Sequence, residues 1–274
     1  MANRRAGPGA ARGGRSSSID EPLFVASVQR CFRVLDAFRL GQRPMSLSEI
    51  ARLSGLGKSA AQRFIYTLRA LGFLNQDERT RAYTLSPKIL EYANAFLESN
   101  VVREKAKRWL RQANDQCEET VNLTELDGTE IVYILRYPSK HIVSVDLSVG
   151  SRLPAYCTAS GRAILAHLPE EKVEAILAAS KIKAWTPHTK TTLRDIRAKI
   201  QEARACGFAL SNQEAFVGDI STAAPVFGLD GEVVAAVNIA VAYPRWSECE
   251  VVERLTPLVV QTAQKISQDL GFQE

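Results

Sequence analysis

Residues 46–71 read SLSEIARLSGLGKSAAQRFIYTLRAL, and this stretch decides how the first third of the chain folds. It opens on Ser46-Leu47-Ser48-Glu49, the S-x-x-E pattern in which serine and glutamate each satisfy a backbone N–H that a first helical turn leaves orphaned. Ile50, Ala51 and Leu53 give this short helix an inner face. Ser54-Gly55-Leu56-Gly57 ends it, because two glycines allow a tight turn. A further helix runs from Lys58 to Leu71, with Ala61, Phe64, Ile65, Leu68 and Leu71 forming one inward stripe. Helix, glycine turn, helix is the spacing of a helix-turn-helix. The other face carries Lys58, Ser59, Ala60, Gln62, Arg63 and Thr67. Small residues permit close approach, an amide and a guanidinium suit base edges, and a lysine suits phosphate. A merely solvated face would look the same, so the flanks decide.

On the N-terminal side, Val28, Cys31, Phe32, Leu35 and Phe38 mark a helix over Ser27–Leu40, stopped by Gly41 and Pro44. On the C-terminal side, Gly72-Phe73-Leu74 and Ala82–Leu85 read as two short strands around a polar tip, Asn75–Arg81. A hairpin directly after such a helix is a wing, and its Arg79 and Arg81 are placed to reach phosphates or the minor groove. Charge agrees: residues 1–100 carry a net +7 and residues 101–274 a net −2. A basic module on a near-neutral body is the footprint of binding to double-stranded DNA. The sequence therefore predicts a basic disordered tail over 1–23 (Arg4, Arg5, Arg12, Arg15) and a winged helix-turn-helix over 24–86.

Ser86-Pro87 starts a linker helix over 87–100. Its stripe, Ile89, Leu90, Ala93, Phe96 and Leu97, must cover either the rest of the chain or another subunit. A reader of only a few base pairs gains specificity from repetition, so a homodimer or homotetramer on operator DNA is expected. Residues 101–274 begin with a helix, Val101–Cys117, and then turn to strands: Val121–Glu125 and Ile131–Leu135 around Asp127-Gly128, His141–Val149, and Ala224–Phe227 with Val233–Val241 around Asp230-Gly231. Helices are expected at Ser160–His167, Glu170–Ala179, Leu193–Cys206 and Cys249–Leu270. Strand pairs mixed with helices indicate an α+β domain with an antiparallel sheet.

Several functional classes are disfavoured. No apolar run is long enough to span a membrane and no secretory signal is visible, so a cytoplasmic protein is expected. The cysteines at 31, 117, 157, 206 and 249 and the histidines at 141, 167 and 188 have no ligand spacing, so neither metal nor cofactor is expected. Cys157 precedes a helix, where a thiolate could be stabilised, but no base or catalytic motif accompanies it, and no catalytic residue is assigned. The alternative is an enzyme or ligand-binding protein with an incidental basic N-terminus. Thr158-Ala159-Ser160-Gly161 suggests a different use: a helix start whose amides favour a carboxylate, against the plainer reading of a capping loop with no ligand.

Val149-Gly-Ser-Arg-Leu-Pro-Ala-Tyr-Cys-Thr-Ala-Ser-Gly-Arg-Ala-Ile-Leu-Ala166 resembles the signature loop and helix of the isocitrate-lyase-regulator (IclR) family. Gly207-Phe208-Ala209, Glu214, Gly218 and Ala223–Phe227 resemble its second block. The wording is most similar to regulators of aromatic-acid breakdown through the β-ketoadipate pathway. The resemblance implies a winged helix-turn-helix, a linker helix and a GAF-like effector domain over 101–274, working as a dimer or a dimer of dimers. It also implies that Ala159, Ser160, Ser211, Ser221, Asn238 and Ala240 surround the effector. With Thr158 and Gly161 of the helix start, these residues suit a small organic acid, most simply an aromatic one. Leu153, Ala159, Val237 and Ile239 are the expected apolar wall.

Overall fold

The computed structural model describes residues 23–41, 43–141 and 147–273. The chain divides into two compact units, with the boundary between Ala93 and Asn94. The expected tail over 1–23 lies almost wholly outside the described residues, as do positions 142–146 of the strand expected at His141–Val149. His141 and positions 147–149 are not in a strand.

The first unit holds α1 (Ala26–Gly41), α2 (Leu47–Ser54), α3 (Lys58–Ala70), β1 (Leu74–Gln76) and β2 (Tyr83–Leu85). Ser46 and Glu49 form the reciprocal cap at the head of α2. The Ser46 backbone and hydroxyl, followed by Arg43, hold the Glu49 carboxyl at about 2. Gly55 closes α2 at φ 63°, a left-handed conformation that disfavours other residues. Val34, Ala37, Phe38, Met45, Ile50, Ile65, Leu68 and Leu74 make the core. Leu71, expected inward, is 55% exposed because it caps α3 after the helical stripe has ended. The first-helix stripe also differs: Val28 and Phe32 are exposed, and the chain turns Val34 and Ala37 inward instead. β1 and β2 pair antiparallel, and Met45 adds a bridge to Tyr83.

α4 (Ile89–Ser99) crosses the boundary between units and has no buried residue. The second unit continues with α5 (Val101–Cys117), β3 (Thr120–Asp127), β4 (Glu130–Tyr137), β5 (Arg152–Pro154) and a 3-10 turn at Ala155–Cys157. Next come α6 (Ala159–Leu165), α7 (Glu170–Ala179), α8 (Leu193–Cys206), β6 (Ala209–Asn212), β7 (Asp219–Phe227) and β8 (Val233–Ala242). The chain ends in α9 (Glu248–Glu250), a π turn at Val251–Leu255, and α10 (Thr256–Asp269). A single helix was expected there. Pro257 has no N–H to give, and the wider turn carries the chain past it.

The six strands form one antiparallel sheet in the order β5-β4-β3-β8-β7-β6. One face packs on α5 and α10, through Ala106 and Leu110 on one helix and Val259, Ala263 and Ile266 on the other. The other face packs on α6, α7 and α8, through Ile164, Leu177 and Ile196 among others. Burying each such Leu or Ile contributes about 1.5–3 kcal/mol, so two layers of helices hold a sheet that neither could hold alone. The fold is a helix-turn-helix unit followed by an α+β unit.

Candidate DNA-reading face and effector cavity

Packing on α3 decides what its outer face presents. Ala61, Ile65 and Leu68 are buried, so helical geometry turns Lys58, Ser59, Gln62, Arg63 and Thr67 outward, and all five are exposed; Ala60 is half-buried. Ser59, Gln62, Arg63 and Thr67 border one concave surface with Arg81 of the wing. Lys58, Ala60 and Arg79 lie outside it, Arg79 at the exposed hairpin tip. The tip is fixed by Asp77, whose carboxylate accepts from the Thr80 backbone at 2.6 Å and its hydroxyl at 2.7 Å. Three residues of this surface escaped the sequence reading. Arg69 Nη1 donates to Gln76 Oε1 at 2.6 Å and ties α3 to β1. Tyr66, 71% exposed, stands between Gln62 and Arg69 on the same face. The helical period alone places Tyr66 on the outer face, beside Gln62 and Arg63.

In the second unit, strand register gathers residues distant in sequence. Thr120 pairs with Ala240, Ala240 with Ser221, and Ser221 with Ser211. Asn122 sits between Arg136 and Asn238. These two rows line a cavity of about 320 Å³ beneath the start of α6. Thr158, Ala159, Ser160, Ser211, Ser221, Asn238 and Ala240 all border it. Gly161 does not. A Cβ there would lie 2.2 Å from the Ala155 carbonyl oxygen, so this glycine serves the close packing of α6 on the 3-10 turn. Leu153 and Ala159 contribute apolar wall, but Val237 and Ile239 belong to the α5–α10 side. Alternation along β8 requires this once Asn238 and Ala240 face the cavity.

The signature loop is pinned by a buried pair. Arg162 is wholly buried; its Nη2 donates to Glu214 Oε2 at 2.7 Å and its Nε to the Tyr156 carbonyl at 3.0 Å. Glu214 Oε2 also accepts from the Lys190 backbone at 3.1 Å. Thr158 caps α6 by accepting from Gly161 N, and Ser211 Oγ donates to the Cys157 carbonyl. The Cys157 thiol is pushed up to about 12 by burial, which removes the thiolate a nucleophile would need.

Other polar groups in the cavity are not spent on the protein. Among the described residues, the Ser160, Ser221 and Tyr133 hydroxyls and the Asp219 carboxylate have no hydrogen-bond partner. Ser160, Ser221 and Tyr133 are nonetheless buried. Arg136 Nη1 donates to Asn122 Oδ1 at 3.0 Å, and Asn122 Nδ2 to Asn238 Oδ1 at 3.3 Å. Burial pushes Asp219 up to about 7, with the Arg136 charge pulling the other way, and pushes Tyr133 upward as well. Glu119 also borders the cavity, but Arg245 Nη2 holds it at 2.6 and 2.7 Å and Trp246 Nε1 at 2.8 Å. Tyr133, Arg136 and Asp219 were not visible as site residues in the sequence, except that Asp219 stands two positions before Ser221 on one strand face.

Among the described residues, no helix is long and apolar enough to cross a membrane, and no group of three or more His, Cys, Asp or Glu is placed to hold a metal ion. The family model "IclR helix-turn-helix domain" matches residues 27–78, and "Bacterial transcriptional regulator IclR C-terminal" matches residues 94–268. The Pca regulon regulatory protein of Pseudomonas putida is 33% identical over 251 residues, covering 91% of this chain and 86% of that protein. The crystal structure of an IclR transcriptional regulator from Alicyclobacillus acidocaldarius is similar with a TM-score of 0.78 at 29% identity, over 90% of this chain and 100% of that one. The fold is shared too with an IclR homologue from Microbacterium hydrocarbonoxydans crystallised with 4-hydroxybenzoate: TM-score 0.74, 23% identity, 89% and 98% coverage.

Proposed function

Because the chain belongs to the IclR family of bacterial transcriptional regulators, we propose that it binds operator DNA through α3 and the wing, and that a small organic acid in the cavity changes that binding. On this reading residues 24–86 are the DNA-binding domain, 87–100 the linker and 101–274 the effector domain. The protein acts in the bacterial cytoplasm as a homodimer or homotetramer and performs no catalysis. Gln62 and Arg63 read base edges, while Lys58, Arg79 and Arg81 meet phosphates.

The observation that carries the effector reading is the set of hydroxyls that border the cavity without a hydrogen bond to the protein, above all Ser160 and Ser221. These hydroxyls remain available to pair with a ligand's oxygens. α6 has seven residues, so its dipole is small and the side chains carry most of the recognition. An aromatic acid is favoured by the likeness to the Pseudomonas putida Pca regulon regulatory protein and by the 4-hydroxybenzoate held by the Microbacterium homologue. The genes controlled are accordingly those of aromatic-compound catabolism.

Thermal melting with a panel of aromatic acids, sugars and amines tests this. An acid at about 100 times its Kd raises stability by about 2.7 kcal/mol, and Ser160→Phe, which puts a bulky ring at the cavity wall, abolishes that gain. A rise with sugars or amines and none with acids contradicts the acid reading.

A further inference from the structure

We propose that Asp219, together with Tyr133, is the specificity-determining element of the cavity: the two bind a hydroxyl group of the effector and so separate hydroxylated acids from plain carboxylic acids. This rests on the reading of the cavity as an acid-binding site and refines it.

Two observations carry it. Tyr133 is buried, borders the cavity, and its hydroxyl has no partner among the described residues. The Asp219 carboxylate borders the same cavity and likewise forms no hydrogen bond or ion pair there. A carboxylate in that position gives nothing to the fold, since burial without hydrogen bonds penalises it. Groups held at such a disadvantage gather at functional sites. A hydroxylated acid fits these two groups: its O–H donates to Asp219 while accepting from Tyr133. A plain acid leaves Asp219 and Tyr133 unpaired.

Among the described residues, the groups that border the cavity with Asp219 include Arg136 and Tyr133 from β4, Glu119 at the head of β3 and Ser221 on its own strand, and Ala242 pairs with it on β8. Glu119 is already engaged by Arg245 and Trp246, with His141 beyond it at 3.9 Å. Burial pushes the Asp219 carboxyl up to about 7. An ionised carboxylate is the stronger acceptor, so the hydroxyl's contribution grows as pH rises through about 7.

Calorimetric titration of the full chain with benzoate, 3-hydroxybenzoate and 4-hydroxybenzoate, at about pH 6 and about pH 8, tests the proposal. The expected result is that at least one hydroxylated acid binds about tenfold to a hundredfold tighter than benzoate at the higher pH, with a smaller margin at the lower. Asp219→Asn removes the pH dependence of that margin, and Tyr133→Phe narrows it at both pH values. Asp219→Asn deletes a buried charge and so should fold; its melting curve is recorded alongside. Equal binding of all three acids overturns the role of Asp219 and Tyr133 while leaving the acid reading standing. Binding of none overturns both.

Discussion

Replacing Arg162 with methionine removes the group that holds the signature loop to β6 and the segment after it. The side chain is wholly buried and donates to Tyr156 O, Leu210 O and both oxygens of Glu214. In Arg162→Met the Glu214 carboxylate stays buried with only the Lys190 N–H, and two carbonyls lose a donor. Breaking one side of a buried pair costs about 3–5 kcal/mol. At about 2–4 °C per kcal/mol for a unit of this size, the midpoint should fall by about 6–20 °C. The assay is direct, because the tryptophans, Trp109, Trp185 and Trp246, all lie in the second unit and their fluorescence follows its unfolding alone. Trp185 Nε1 also donates to the Tyr156 hydroxyl, beside the loop in question. The double variant Arg162→Met, Glu214→Leu leaves no orphaned charge and should recover much of the loss. A single variant within about 1 kcal/mol of the parent, or a double variant worse than the single, refutes the reasoning.

Arg63→Ala should cost about 1–3 kcal/mol of operator affinity and relax preference at particular base pairs, whereas Lys58→Ala should weaken all duplexes alike; anisotropy against a panel of mutated sites separates the two. Asp219 has its pKa raised on folding, so the folded state holds a proton that the unfolded chain has lost; its contribution is largest below about 4 and vanishes as pH passes about 7. Between about pH 5 and about pH 8 the urea midpoint of the second unit should therefore fall by the equivalent of about 2 kcal/mol, and Asp219→Asn should flatten that slope. Phe32 and Phe96 are 62% and 51% exposed, and light scattering should find a dimer or tetramer that Phe32→Glu or Phe96→Glu shifts toward monomer.

Local signals made the first unit readable. The Ser46–Glu49 cap, the Gly55 turn and the period of α3 each act within a few residues, and the structure has all three. The second unit depends on pairings that no local pattern encodes. Arg162 and Glu214 are 52 positions apart. Asp219 and Arg136 share a cavity only because β8 and β3 lie between their strands. The placing of Val237 and Ile239 in the cavity wall, by contrast, was avoidable, since strand alternation sends them opposite to Asn238. β6 was hidden by its length: Ala209–Asn212 gives too few alternations to distinguish a strand from a loop.

Whether an acid in the cavity alters DNA binding by α3 and the wing is tested by titrating the full chain onto the labelled intergenic duplex beside its own gene, with and without a saturating hydroxybenzoate. Coupled sites of this kind differ by about 1–3 kcal/mol, so the affinity for the duplex should change by about fivefold to 150-fold, and Ser160→Phe should bind the duplex without responding to the acid. An affinity that stays the same when calorimetry shows the acid bound, or a chain that does not distinguish this duplex from unrelated DNA, would contradict the account.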